Sequence, residues 1–190
     1  MRSRLQLVAH RVAIAQTEVV ALEHALLVSL REHPASGSEL ARRFAKSIGF
    51  FWSATHQQIY KVLHRMVADG WIEGDADQAR TTYSLTPLGD RVLADWISAP
   101  TPPEKTRNDL AVKMRAASYG DRTNLLAELA ELVAEHRIRL AHYEAMQRRD
   151  YPDPSTLTDH DLDTYLVLRG GIRVEEYWIA WLTEYLEAHS

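Results

Sequence analysis

Trp52-Ser-Ala-Thr-His-Gln-Gln-Ile-Tyr-Lys-Val-Leu63 is the stretch on which the fold turns. Thr55 and Gln58 have the S/T-x-x-E/Q spacing of a capping box, in which each side chain satisfies a backbone N–H that a helix start leaves free. Beyond it, Ile59, Leu63, Met66 and Val67 recur at helical spacing, which predicts an inward stripe. His56, Gln57, Gln58, Lys61, His64 and Arg65 fall on the other face, and almost all of them carry hydrogen-bond donors. A helix with a packed back and an amide- and cation-rich front is suited to reading base edges and phosphates. The same pattern also describes an ordinary amphipathic helix with a solvated face, so the neighbouring sequence has to decide.

Upstream, Val20, Leu22, Ala25, Leu26, Leu27, Val28 and Leu30 predict a helix that is apolar on most sides and therefore buried. It ends near His33-Pro34, because the residue before a proline is pushed out of the helical region. Ala35-Ser36-Gly37 reads as a turn. Ser38 then caps a second helix, Glu39 to Lys46, with Leu40, Ala41 and Phe44 inward and Arg42, Arg43 and Lys46 outward. Two helices and a turn leading to the helix that ends at Asp69 make a tri-helical helix-turn-helix. Phe50, Phe51 and Trp52 read as a plug in its core, and residues 2–15 as a short helical arm bearing Leu5, Val8 and Val12 on one side.

Downstream, Gly70 closes the third helix where a left-handed residue is wanted. Trp71-Ile72-Glu73 and Thr81-Thr-Tyr-Ser-Leu85 are β-branched and aromatic runs around the polar turn Gly74–Arg80, which predicts a hairpin wing. Arg80 lies at its tip or base, within reach of a phosphate or minor groove, or else as a solvated loop charge. Thr86-Pro87 starts a fourth helix whose apolar side is Leu88, Val92, Leu93, Trp96 and Ile97. Ala99-Pro-Thr-Pro-Pro103 is a stiff connector, which divides the chain into domains at 1–98 and 104–190.

In order and spacing, Leu22-Glu-His-Ala-Leu-Leu27, Gly37-Ser-Glu-Leu40, Phe51-Trp52, Thr55 to Leu63 with Ile59-Tyr60, Asp69-Gly-Trp-Ile72 and Tyr83-Ser-Leu-Thr-Pro-Leu-Gly89 resemble the winged helix-turn-helix of PadR-type transcriptional regulators. The resemblance covers roughly residues 20–98. Two positions depart from it: Ser38 stands where the family usually has tyrosine, and Lys61 where it usually has proline. Neither threatens the fold, and Lys61 adds a cation to the front of the helix.

The second half is helical. Asp109 to Ser118 predicts a short helix with Leu110, Val112 and Met114, broken at Tyr119-Gly120. From Asp121 to Arg149, Leu126, Leu129, Val133, His136, Leu140 and Tyr143 alternate by three and four, the seam of a coiled coil. After Tyr151-Pro-Asp-Pro154, a second capping box at Thr158–Asp161 opens a helix to Ala188 that is apolar around most of its circumference. Such a helix has to be covered on more than one side, and a second subunit is the natural cover. Gly170-Gly171 within it should cost ~1 kcal/mol each against alanine, which suggests a close backbone crossing or a kink. Leu110-Ala-Val-Lys-Met114, Leu168-Arg-Gly-Gly-Ile172 and Trp178-Ile-Ala-Trp181 are similar to the dimerisation region of the longer PadR-type proteins, the branch that includes virulence-gene activators.

Composition sets limits on these readings. The chain of 190 residues has no cysteine, which excludes disulfides and thiolate metal sites. His10 and Arg11 interrupt the first apolar run too early for a signal peptide, and no run approaches the ~18 apolar residues of a membrane span. A soluble, cytoplasmic protein with no membrane partner is expected. Net charge is −4, divided unevenly: residues 1–98 hold 11 Lys/Arg against 10 Asp/Glu, residues 99–190 hold 11 against 16. DNA affinity would have to come from a local patch of Arg42, Arg43, Lys46, Lys61, Arg65 and Arg80. The chain has no G-x-S-x-G, no phosphate-cradling glycine loop and no H-E-x-x-H, so neither an enzyme nor a cofactor is expected. Asp159-His160-Asp161-x-Asp163 is read as carboxylates favoured by a helix start rather than a metal site. His136 is read as a seam histidine that sets register, with pH sensing as its alternative.

The expected fold is mainly α, a winged helix-turn-helix with a small β-hairpin wing followed by an all-α dimerisation domain with a long coiled-coil-like helix. The expected function is a homodimeric transcriptional repressor that binds double-stranded DNA at a pseudo-palindromic operator. In that reading His56, Gln57, Gln58 and Lys61 face bases, Tyr60, Arg42, Arg43, Lys46 and Arg80 hold phosphates, and Thr55 and His64 share the surface. The resemblance also implies an alternative, a sensor that stacks a small aromatic effector on Trp96, with Trp71 nearby. A winged-helix module for protein contacts is the third reading.

Overall fold

The computed structural model describes residues 22–46, 54–75, 81–101 and 108–189, with side chains left out at 45, 46 and 75. The chain forms two compact units, Met1–Pro102 and Pro103–Ser190. The helical arm, the Phe50–Trp52 plug and Arg80 lie outside the described residues, as does the side chain of Lys46.

The first unit runs α1 (22–32), β1 (Ala35–Ser36), α2 (Gly37–Lys46), α3 (His56–Ala68), β2 (Ile72–Asp75), β3 (Thr82–Leu85) and α4 (Pro87–Ser98). It is a winged helix-turn-helix. Leu22, Leu26, Leu27 and Leu30 of α1 share one core with Leu40, Ala41 and Phe44 of α2 and with Ile59, Val62, Leu63 and Met66 of α3. Helices as short as α2 and α3 are marginal alone, so this common core holds them. The predicted stripe on α3 is present at Ile59, Leu63 and Met66. Val62 completes it, and Val67 is exposed, because the helical spacing carries position 67 past the buried face.

Two expectations at the start of α2 are corrected. Ala35-Ser36 is a two-residue strand rather than a turn, and it pairs antiparallel with β3 through Ala35↔Tyr83 and Ser36↔Thr82. The sheet therefore has three strands in the order β1-β3-β2, which gives the second edge of β3 a partner. The cap is Ser36 rather than Ser38. Its hydroxyl accepts the Glu39 N–H at 3.4 Å, and Glu39 Oε2 accepts the Ser36 N–H at 2.8 Å, so α2 starts two residues earlier than expected.

After α3, Gly70 has φ +71°, the left-handed turn that glycine permits. Thr86 caps α4 by accepting the Gly89 N–H at 3.1 Å, and its own N–H donates to the Trp71 carbonyl at 3.1 Å. These bonds draw α4 so close to Trp71 that a Cβ on Gly89 would lie 2.1 Å from that carbonyl oxygen. Of the apolar side expected for α4, Leu93 is buried and Val92 half-buried. Leu88, Trp96 and Ile97 are exposed.

The second unit contains α5 (Asp109–Ala116), closed by a 3₁₀ turn at Ala117–Tyr119, then α6 (Thr123–Asp150) and α7 (Asp159–Glu187). Gln147 meets Arg169, His136 meets Glu175 and Leu129 packs near Leu182, so α6 and α7 run antiparallel. Along the expected seam of α6, Leu129, Val133 and Tyr143 are buried and Leu126, His136 and Leu140 half-buried. His136 Nδ1 lies 2.5 Å from Glu175 Oε2, Arg139 Nε lies 3.3 Å from both oxygens, and Trp178 stacks on the imidazole. A buried carboxylate needs such partners, and this set fixes the register of the helix pair. Burial first, and then the Glu175 charge, raise the Tyr143 phenol above its ordinary value.

The capping box expected at Thr158–Asp161 is not formed. Asp159 adopts φ +49°, so the first turn lacks the regular geometry the box needs, and the Thr158 side chain makes no capping bond. Of the pair Gly170-Gly171, where a close crossing or a kink is expected, Gly171 is buried, whereas a Cβ on Gly170 would touch nothing within 4 Å among the described residues. Val167, Gly170, Val174 and Tyr177 follow at spacings of three, four and three along α7, and the three side chains among them are exposed. No helix among the described residues is long and apolar enough to cross a membrane.

The Gly89 contact yields a stability prediction. Overpacking against backbone costs about 1–3 kcal/mol or more, so Gly89→Ala should lower the free energy of unfolding by that amount and the urea midpoint with it. Gly120→Ala, where a Cβ meets nothing and φ is extended, should leave stability unchanged or slightly raised. Equal midpoints for the two variants would contradict the packing described for α4.

Candidate nucleic-acid interface

The outward face of α3 is organised by its first turn. Thr55 Oγ1 accepts the Gln58 N–H at 3.2 Å, and Gln58 Oε1 accepts the Thr55 N–H at 2.8 Å, which is the expected capping box. Gln58 is therefore oriented by its own cap: its carbonyl oxygen points back to Thr55, and its amide NH2 is the end suited to contact a ligand. His56, Gln57, Gln58, Lys61 and His64 are all exposed. Gln57, Lys61 and His64 follow at i, i+4 and i+7, with His56 and Tyr60 one position around the helix. The structure brings these residues together as one donor-rich surface backed by Ile59, Val62, Leu63 and Met66.

Two members of the expected cationic patch do other work. Arg65 pairs with Glu23 of α1, a buried carboxylate that the sequence reading did not single out. Arg43 donates from Nη1 to the Ser29 carbonyl at 3.2 Å and the His33 carbonyl at 2.9 Å, holding the C-terminal end of α1. Both cations therefore tie the helix-turn-helix together. Arg42 is exposed on α2 and lies 3.8 Å from Glu39. The Glu39 carboxyl is held below its ordinary range, first by the Ser36 N–H, then by the Ser36 hydroxyl.

Tyr60 lies at the junction of α3 with α2. A Cβ on Gly37 would sit 2.5 Å from Tyr60 Cε1, so the tyrosine ring occupies the space that glycine leaves at the start of α2. Trp96 stacks on His24 with centroids 4.5 Å apart and planes 14° from parallel. His24 is buried, and 45% of Trp96 remains exposed. Ser36, Thr81 and Tyr83 border the same surface as Tyr60 but are not among the residues the sequence assigns to it; the S-x-x-E spacing from Ser36 to Glu39 is the local signal that marks Ser36.

Residues 26–95 match the transcriptional regulator PadR-like family, and residues 106–190 match the virulence activator alpha C-term family. The chain is 43% identical over 186 residues to Rv1176c, a probable transcriptional regulator of Mycobacterium tuberculosis, covering 89% of this chain and 97% of that one. The virulence activator AphA of Vibrio cholerae superposes with a TM-score of 0.77 at 32% identity, covering 88% of this chain and 96% of that one. PadR of Bacillus subtilis, solved in complex with operator DNA, gives 0.76 at 26% identity, covering 90% and 99%. The same protein in complex with p-coumaric acid gives 0.73 at 26% identity, covering 88% and 97%.

The Arg65–Glu23 pair is testable by a double-mutant cycle. Arg65→Ala leaves a buried carboxylate unpaired and should cost about 1–3 kcal/mol or more, whereas the Arg65→Ala/Glu23→Leu double variant should recover much of the loss. Additive losses in chemical denaturation would show that the two groups do not act as a pair.

Proposed function

Because the chain belongs to the PadR-like family of transcriptional regulators, we propose that it acts as a homodimeric repressor that places the outward face of α3 in the DNA major groove. The observation that carries the reading is that face itself. Amide, imidazole and ammonium groups from His56, Gln57, Gln58, Lys61 and His64 stand together on a helix with a fully packed back. Amides and ammonium groups are the partners that adenine and guanine edges accept in the major groove. Arg42, Lys46, Tyr60 and Arg80 contact phosphates, and Thr55 orients Gln58. Arg43 supports the scaffold in this reading rather than touching DNA.

The exposed stripe of α7 supports dimerisation. Val167, Val174 and Tyr177 are about half exposed, and Gly170 between them permits a second backbone to approach closely. Two copies then set two α3 helices about 34–36 Å apart, on successive major grooves of a pseudo-palindrome. Bacillus subtilis PadR, 25% identical over 173 residues, is a negative transcriptional regulator, which supports repression. The domain boundary falls in the Ala99–Pro103 connector, and the protein acts in the cytoplasm.

A second reading is favoured by one observation. Trp96 presents a half-exposed indole already stacked on an imidazole, and Bacillus subtilis PadR binds p-coumaric acid. A flat aromatic effector stacking on Trp96 would relieve repression. Quenching of tryptophan fluorescence without release of DNA would remove this reading.

The main reading is tested by binding to the protein's own upstream DNA across a salt series. Each phosphate-contacting cation removed should flatten the slope of log K against log salt by about one unit, so Arg42→Ala, which removes one cation from each copy of the dimer, should flatten it by about two. An unchanged slope would take this surface off the DNA.

A further inference from the structure

Two glutamines stand side by side on the front of α3, and they differ in what each has left to offer a base. Gln58 Oε1 accepts two hydrogen bonds, from the Thr55 N–H at 2.8 Å and from the Thr55 hydroxyl at 3.0 Å. The Thr55 hydroxyl in turn accepts the Gln58 N–H at 3.2 Å. The amide cannot be turned round, because a backbone N–H only donates and the atom facing it must be the oxygen. An amide oxygen has two lone pairs, so both are in use. The NH2 end keeps its two hydrogens without a partner among the described residues, on an exposed side chain. Gln57 takes no part in the capping box and retains an acceptor as well as donors.

At a base edge this difference has a chemical consequence. An unrestrained glutamine reads adenine with both ends: its oxygen accepts from N6 while its NH2 donates to N7. With the oxygen occupied, Gln58 presents an NH2 group alone, and the adenine N6 donor beside N7 then opposes it. Cytosine offers only the N4 donor, and thymine one acceptor next to a methyl group. Guanine offers two adjacent acceptors, N7 and O6, which one NH2 group addresses together. To take adenine, Gln58 would have to release the cap that starts α3. The residue lies in the first turn of α3, the part of a recognition helix that meets base edges, and Lys61 one turn on likewise carries donors only.

We propose that the Thr55–Gln58 box sets base preference: it converts Gln58 from an adenine-reading amide into a donor-only group that selects guanine, once in each half-site. The proposal rests on the DNA-binding reading above and adds to it the base that one named side chain takes. The bonds that start the helix thereby decide part of its sequence preference, and Gln57 remains the amide able to take adenine.

The test uses the full-length protein and its own upstream duplex. Guanines are replaced one at a time by 7-deazaguanine, which keeps the base pair and removes N7, and adenines likewise by 7-deazaadenine. At one guanine in each half-site the replacement should weaken wild-type binding about 10-fold. Gln58→Glu keeps the box, since a carboxylate oxygen accepts the same bonds, and loses the NH2 group. Its added charge lowers affinity on every duplex, so the quantity read is the ratio of affinities for the unmodified and modified duplexes. That ratio should fall to about 1 at those guanines and stay as in the wild type elsewhere. Gln58→Met, neutral and of similar length, should do the same, with thermal melts confirming that both variants fold. Ratios unchanged at every guanine in the two variants, or ratios that collapse at an adenine instead, would overturn the guanine assignment while leaving the regulator assignment intact. Failure of the unaltered protein to bind DNA at low salt would overturn both.

Discussion

α3 is held from behind, and the remainder of the first unit depends on that hold. Its start is locked by the reciprocal bonds between Thr55 and Gln58, its middle by four buried side chains, and its last turn by Arg65 reaching Glu23 on α1. Each restraint acts on the inner side or on the ends, so the outer side need not contribute to stability. That is why His56, Gln57, Lys61 and His64 can all be polar and exposed on a helix of 13 residues. A reading surface needs fixed geometry, because a bidentate contact to a base edge tolerates little displacement.

The same arrangement explains how a chain with net charge −4 can serve as a DNA-binding regulator. Of the cations expected to face phosphates, Arg43 and Arg65 bind groups within the protein. The charge left for DNA is therefore modest, and the counterion-release contribution of each copy is small. The proposed dimer offsets this, because it adds the binding free energies of two half-sites.

Much of this architecture was legible because local rules and the core agreed. The capping box at Thr55, the left-handed Gly70, the proline start of α4 and the seam of α6 are short-range patterns, and each was met. Most of what failed depended on long-range contacts. Ala35-Ser36 reads as a turn from its neighbours, but β3, far along the sequence at Thr82 and Tyr83, recruits it as a strand. Arg43 and Arg65 read as solvent-facing because helical periodicity cannot show that carbonyls at the end of α1, or the Glu23 carboxylate, stand opposite them. The box expected at Thr158 was defeated by a positive φ at Asp159 that composition does not announce.

The central claim is that α3 enters the major groove in two symmetry-related copies. Protection of guanine N7 from methylation, measured over the protein's own upstream DNA, reads major-groove occupancy directly. The account predicts two protected patches related by a dyad, with centres about one helical turn or 34–36 Å apart, both lost in the His56→Ala/Gln57→Ala/Lys61→Ala variant. A single patch, or protection that persists in that variant, would contradict it.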